Sequence, residues 1–185
     1  MRTSKVLVSI IAGALIAIIS PTLAHAAPGD NQYGFQNYKS GMMIQPDRNA
    51  DGSDSAASYV KMVQRPMVIW GTDLKSAQNW RISDIITSMT GEKHITAGNS
   101  SLRLGINGGS PNPGVSAIQA PADLSQNQKW RFQQAFGFPD GVIQIVNVRS
   151  GLCLGVDGAS TLSGAWILQF PCDLSVNQSW RKIDR

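Results

Sequence analysis

The chain has 185 residues, of which 42% are hydrophobic and 15% charged, with 18 Gly, 9 Pro, 2 Cys, 2 His and a formal net charge of +4. This length fits one domain, and the composition is too apolar and too weakly charged for a disordered chain. Two histidines, one of them His25 near the start, exclude a multi-His metal centre.

Residues 1–26 read as a signal peptide. Arg2 and Lys5 supply a positive start, Val6 to Ile19 is an apolar run, and Pro21 breaks it ahead of Ala24-His25-Ala26. That order marks a secretory signal with an Ala-x-Ala cleavage site. Fourteen apolar residues fall short of the roughly 20 needed to span a bilayer, and no later segment replaces them. The expected location is therefore secreted, extracellular or periplasmic, with no membrane span after cleavage. No Cys sits beside the cleavage site, so a bacterial lipid anchor is not suggested.

Residues 27–185 remain as a single domain of 159 residues, with 14 basic and 12 acidic side chains. A net charge of about +2 is too small to imply a nucleic-acid partner, which announces itself as a concentrated basic patch. Cys153 and Cys172 both lie in this portion, and an exported protein matures where disulfides persist, so they are expected to pair. The bridge would close a loop of about 20 residues, contributing roughly 3 kcal/mol in the chain-entropy model.

Gln78-Asn79-Trp80, Gln128-Lys129-Trp130 and Gln178-Ser179-Trp180 are Gln-x-Trp motifs, each followed by Arg, at a period of 50 residues. The repeats run over about 33–82, 83–132 and 133–185. The first copy is divergent: Ser40-Gly41-Met42-Met43-Ile44 matches Ser150-Gly151-Leu152-Cys153-Leu154, and Asp73-Leu74 falls where Asp123-Leu124 and Asp173-Leu174 fall before their Trp. About ten extra residues lie between these anchors. Within them Asp47-Arg48-Asn49-Ala50-Asp51-Gly52 matches the start of a calcium-loop pattern. Ser58 stands where that loop needs a bidentate Glu, no amphipathic helix flanks it, and these are also the residues of a solvated loop.

The second and third copies align without a gap from Ser100–Arg131 to Ser150–Arg181. Leu102, Leu104 and Ile106 alternate with Arg103 and Gly105, as do Leu152, Leu154 and Val156 with Cys153 and Gly155, the period of a strand with one buried face. Asn107-Gly108 and Asp157-Gly158 then predict tight turns, because Gly adopts positive φ at little cost. No stretch shows a helical period. Trp80, Trp130 and Trp180 read as core anchors, two of them with an apolar residue two positions on, Ile82 and Phe132. His94, between Lys93 and Ile95 and close to Glu92, reads as a solvated hairpin residue.

Three copies of some four strands, each ending in Gln-x-Trp, resemble the ricin-type β-trefoil lectin family over essentially all of residues 27–185. The most specific stretch runs from Gly151-Leu152-Cys153-Leu154-Gly155-Val156-Asp157-Gly158 through Gln169-Phe170-Pro171-Cys172-Asp173-Leu174 to Asn177-Gln178-Ser179-Trp180. The family has Cys at the positions of Cys153 and Cys172; the second copy has Arg103 and Ala122 there, the first Met43 and Thr72. The resemblance implies an all-β trefoil: three pseudo-symmetric four-stranded repeats, with a six-stranded barrel closed at one end by three hairpins and shallow sugar pockets on the lobes.

In that family the residue after the Cys-Leu pair is an Asp that grips two sugar hydroxyls, an aromatic follows the Gln of the third strand, and the Asn of Asn-Gln-x-Trp completes the set. Here the Asp position holds Gly155 and Gly105, and Gln45 in the first copy. The third copy keeps Phe170 and Asn177, with Asp157 two residues beyond Gly155 as a substitute acceptor, and Gln178 beside them. The second has Asn127 but Ala120 in place of the aromatic; the first offers Trp70 as the aromatic and Ala77 in place of the Asn. Sugar recognition needs convergent hydrogen-bonding groups and an aromatic face, so the third copy is the expected site.

Catalysis finds little support: His94 is the one histidine after residue 26, both cysteines are expected to pair, and no Gly-x-Ser-x-Gly elbow is present. No cofactor or metal is implied. The expected function is a secreted, non-enzymatic carbohydrate-binding protein recognising a glycan or glycoconjugate. The alternative is a trefoil that has lost sugar binding and partners a toxin or enzyme chain, as a delivery subunit or a hydrolase inhibitor; Gly105 and Gly155 favour it.

Overall fold

The computed structural model describes residues 32–68, 77–86, 88 and 90–185. The signal peptide expected over 1–26 lies outside these residues, as do Trp70, Thr72, Asp73 and Leu74. Among the described residues no helix is long and apolar enough to cross a membrane.

Among the described residues twelve strands form three lobes of four. Lobe 1 has β1 (Gln32–Asn37), β2 (Met43–Pro46), β3 (Met62–Arg65) and β4 (Trp80–Asp84). Lobe 2 has β5 (Lys93–Ala97), β6 (Arg103–Ile106), β7 (Ala117–Ala120) and β8 (Trp130–Gln134), and lobe 3 has β9 (Val142–Asn147), β10 (Cys153–Val156), β11 (Ile167–Phe170) and β12 (Trp180–Asp184). The first and last strands of each lobe pair antiparallel in the cycle β1–β4–β5–β8–β9–β12 and back to β1, which closes a six-stranded barrel and leaves it no open edge. The hairpins β2–β3, β6–β7 and β10–β11 cap one end, joined by bridges Lys61–Ile118, Ser116–Leu168 and Val63–Trp166. The structure is a β-trefoil.

Each copy uses the same three devices to hold this frame. Trp80, Trp130 and Trp180 are fully buried in the common core with Phe35, Ile95 and Ile145, and each indole N–H donates to the carbonyl of Ile44, Leu104 or Leu154 at 3.2, 2.9 and 3.0 Å. A large ring is buried without orphaning its one donor. Gln64, Gln119 and Gln169 are also fully buried, and each accepts from a serine hydroxyl of its own lobe: Ser40, Ser100 and Ser150. Their amide N–H groups reach into the preceding lobe around the axis: Gln64 to Ser160 O and Leu162 O, Gln119 to Ser55 O and Ala57 O, Gln169 to Ser110 O and Asn112 O. Buried amides satisfied in this way specify the packing of one lobe on another.

The third device is the closing tie between each hairpin and the loop before the Trp. In lobe 3 it is covalent, Cys153–Cys172, with Cα atoms 5.1 Å apart. In lobe 2 Arg103 replaces Cys153 and donates to Asp123 O at 2.8 Å, so a hydrogen bond closes the same loop.

The divergent first copy is resolved by strand register. Residues 47–61 join β2 to β3 where 107–116 and 157–166 join their counterparts, so the insertion is split, with part before β3 and part after it. Met43 pairs with Arg65 as Arg103 pairs with Ala120 and Cys153 with Phe170. The residue following the third-strand Gln in lobe 1 is therefore Arg65, which corrects the assignment of Trp70 to that position. Counting back from Trp80 cannot detect an insertion that falls after the strand.

Candidate functional site

The loop that follows β10 begins with a 3-10 turn at Asp157–Ala159, where Gly158 has φ 57°. A second 3-10 turn, Val176–Gln178, precedes Trp180. Between these turns and the end of β11 lies a depression of about 350 Å³, lined by Val156, Gly158, Ala159, Phe170, Pro171, Asp173, Asn177 and Gln178. Its walls are largely apolar, and its polar groups come from Asn177 and Asp173.

Three of the four residues expected to bind sugar meet there. Phe170 is half-buried at the end of β11 and presents its ring to the depression. Asn177 donates through Nδ2 to Val156 O at 3.4 Å, and among the described residues no hydrogen bond is made to its Oδ1. Its own carbonyl is held from lobe 1 by Asn37 Nδ2 at 2.9 Å. Gln178 is buried, and its amide is spent on the loop: Oε1 accepts from Asp173 N at 3.4 Å and Nε2 donates to Pro171 O at 2.9 Å. It shapes the wall rather than offering a hydrogen bond to a ligand. Asp157 is exposed on the turn beside the depression, outside its lining, and its backbone groups bond Trp166 O and Ser160 N.

Two residues at this site were not singled out from the sequence. Asp173 lines the depression with an exposed carboxylate whose Oδ1 accepts from Ser175 N at 2.9 Å; its place in the repeated Asp-Leu-Ser was the available signal. Lys39, from lobe 1, donates to Ala159 O at 2.7 Å and pins a wall residue that has φ 48°. Nothing in the sequence points to that contact, 120 residues apart.

Gly155 packs directly behind this wall: a Cβ there would stand 2.9 Å from Gln178 Cγ, 3.3 Å from Phe170 Cδ2 and 3.4 Å from Asn177 Nδ2, so any side chain at 155 would press on three residues that line the depression. In lobe 2, Gly105 and Asn127 repeat the arrangement, with Asn127 Nδ2 donating to Ile106 O at 3.2 Å, but Ala120 supplies no ring. In lobe 1 the corresponding groups satisfy one another. Gln45 accepts from Gln78 Nε2 at 2.9 Å and donates to Asp54 Oδ1 at 3.3 Å, while Ala77, fully buried, replaces the Asn.

The calcium-like loop is bonded internally. Asp47 pairs with Arg65 at 2.8 Å, Arg48 with Asp54 at 3.5 Å, and Asp51 accepts from the amide and hydroxyl of Ser53, which hold its carboxyl below the usual range. Among the described residues no three His, Cys, Asp or Glu side chains are grouped to hold a metal. His94 lies in the β4–β5 hairpin, opposite Ser83, but is half-buried there rather than fully solvated, with its Nε2 3.4 Å from Arg103 Nη1.

Residues 126–185 match the ricin-type β-trefoil lectin domain-like family. No curated protein sequence matches the chain. Among solved structures, a designed threefold-symmetric protein, ThreeFoil, is 28% identical with a TM-score of 0.71, covering 83% of this chain and 99% of that one. An exo-β-1,3-galactanase from Clostridium thermocellum is 25% identical with a TM-score of 0.71, over 86% of this chain and 31% of that one. The ricin B-like lectin of Macrolepiota procera, solved with lactose, is 14% identical with a TM-score of 0.64, over 87% of this chain and 100% of that one. The chain thus has the fold of the ricin-type β-trefoil lectins throughout its described residues and resembles that family in sequence most closely through lobe 3.

Proposed function

We propose that the protein is an exported, non-enzymatic glycan-binding trefoil that takes a sugar in the lobe 3 depression. The observation that carries this reading is the convergence of the Phe170 ring, the unengaged Asn177 Oδ1 and the Asp173 carboxylate on one open hollow. A hexose has an apolar C–H face and a rim of hydroxyls; the ring suits the face, and carboxylate and amide oxygens suit the hydroxyls. Asp157, between the lining residues Val156 and Gly158, is the further acceptor offered to hydroxyls at the rim. The family match over lobe 3 and the lactose-bound relative support carbohydrate as the ligand class. The disulfide supports export, since such bridges persist in oxidising compartments.

A glycan array on the mature protein, followed by titration of the best ligand, tests the reading. Asn177→Ala and Phe170→Ala should each weaken binding about five- to a hundredfold, the equivalent of roughly 1 to 3 kcal/mol for a lost partner. Asn127→Ala should change it little. A specific observation favours a second reading: with glycine at both 105 and 155, no lobe described here has the family's acidic residue at that position. A chain that binds no glycan on the array would then be an interaction subunit for a toxin or enzyme chain.

A further inference from the structure

The outward face of β4–β5–β6 carries a set of bases that neither sister lobe has. Cross-strand pairs share a face, and the register pairs Arg81 with Thr96, Ser83 with His94, and Thr96 with Arg103. The bridge of Lys93 to Trp130 sets Lys129 opposite His94. Ile95 and Ala97 point into the core, so Arg81, Ser83, His94, Thr96, Arg103 and Lys129 look outward from one patch. The corresponding positions are Arg131, Gln133, Gln144, Val146, Cys153 and Ser179 in lobe 3, and Arg181, Ile183, Gly34, Gln36, Met43 and Asn79 in lobe 1. Each sister lobe has one base among these six positions, and lobe 2 has four.

These four side chains are half-buried. Among the described residues the ion pairs are Arg48–Asp54, Arg65–Asp47 and Lys93–Asp84, and none involves the patch. Asp84 and Lys93 lie on the opposite strand parity from His94, and Glu92 bonds Thr90. Asp123 is the acid that senses Arg103, but its Oδ1 is engaged by the Ser125 hydroxyl and amide. Burial first, then the charges of Arg103 and Lys129, hold the His94 imidazole below its ordinary 6.5. Arg103 gives one Nη1 to Asp123 O and His94, which leaves its other guanidinium donors available. Asp123 offsets part of the Arg103 charge, but among the described residues no ion pair joins any of these four bases; they repel one another, and an anion seated among them relieves that repulsion.

We propose that this face of lobe 2 is a binding site for a tetrahedral oxyanion, sulfate or phosphate in chemistry, held by Arg103, Lys129 and protonated His94 with Arg81 and the hydroxyls of Ser83 and Thr96 at its rim. Guanidinium forks and hydroxyls are the groups that match such an anion. The site is separate from the lobe 3 depression and stands whether or not that depression binds sugar.

The test follows the His94 ring by NMR while sodium sulfate is added to the mature protein, against sodium chloride at matched ionic strength. Sulfate is expected to saturate, to move the ring toward its protonated form, and to raise the pH at which it titrates by more than chloride does. Lys129→Ser and Arg103→Met, which import the residues of lobes 3 and 1, should each weaken the sulfate effect at least fivefold, with circular dichroism reporting that the fold is kept. A sulfated hexose compared with inorganic sulfate, the unsulfated hexose serving as control, separates an ester-borne anion from the free ion: tighter binding of the ester assigns the site to a glycan substituent, and tighter binding of inorganic sulfate assigns it to the free ion. Identical responses to sulfate and chloride, or an unchanged response in Lys129→Ser, would overturn the proposal.

Discussion

Lobes 1 and 3 share one frame, with Trp80 and Trp180, Gln64 and Gln169, and Ser40 and Ser150 making the same bonds, yet they treat the space under the hairpin in opposite ways. Lobe 1 fills it with Gln45, Asp54 and Gln78, whose polar atoms bond each other. Lobe 3 has glycine at 155, packed against Gln178, Phe170 and Asn177, and beside it an open depression with an amide, a carboxylate and a ring on its walls. The trefoil therefore relies on its buried bonds and its core, while the space between hairpin and closing loop is packed or open in each lobe separately.

The largest losses are expected from removing what the lobes share. Trp130→Ala or Trp180→Ala should cost about 3 to 5 kcal/mol, since each removes a fully buried ring and orphans a carbonyl. Thermal unfolding of the two variants should give similarly depressed midpoints; a near-native midpoint for either would remove that Trp from the frame.

Next in size are the ties on which the lobes differ. Cys172→Ser should cost about 2 to 4 kcal/mol, whereas Arg103→Met in lobe 2 removes one hydrogen bond to a half-exposed cation and should cost about 1 kcal/mol. Urea melts of both variants rank them, and the wild-type cysteines should resist alkylation until reduced. Equal losses would mean that the bridge contributes no more than its hydrogen-bonded counterpart.

Gly155→Asp sharpens the contrast directly, because it installs the residue usual in the resembling lectins. Here the new side chain would meet Gln178, Phe170 and Asn177, so overpacking should cost about 1 to 3 kcal/mol. Glycan affinity should fall rather than rise. Tighter binding by this variant would show that the walls yield and that the hollow is a vacancy left by the acid.

The smallest effect concerns lobe 2. Its environment favours neutral His94, so the folded protein takes up this proton less readily than the unfolded chain. Stability from this group is complete well above 6.5 and is lost as the pH falls below that value. His94→Gln, which imports the lobe 3 residue, should flatten the dependence of the unfolding midpoint between roughly pH 7 and 5. An unchanged slope would assign the dependence to other groups.

The repeat determined most of what could be read without coordinates. Three Gln-x-Trp-Arg motifs at a constant spacing require three equivalent units, and the period-two pattern of Leu102, Leu104 and Ile106 predicts the strand that forms as β6, where Leu104 and Ile106 are buried. Phe170 and Asn177 could be placed near one pocket because the third copy aligns without insertions. What tertiary structure alone decided are the facts that depend on contacts between lobes or on register. Arg65, not Trp70, follows the third-strand Gln of lobe 1, since an insertion breaks the count from Trp80. Gln178, the last residue of the 3-10 turn Val176–Gln178, faces its own loop, and Asp173, ahead of that turn, takes a place on the wall. His94 joins Arg103 and Lys129 only when β5 lies between β6 and β8, strands whose adjacency no local pattern encodes. Local sequence sets which residues must be buried and how often; closure of the barrel sets which of them meet.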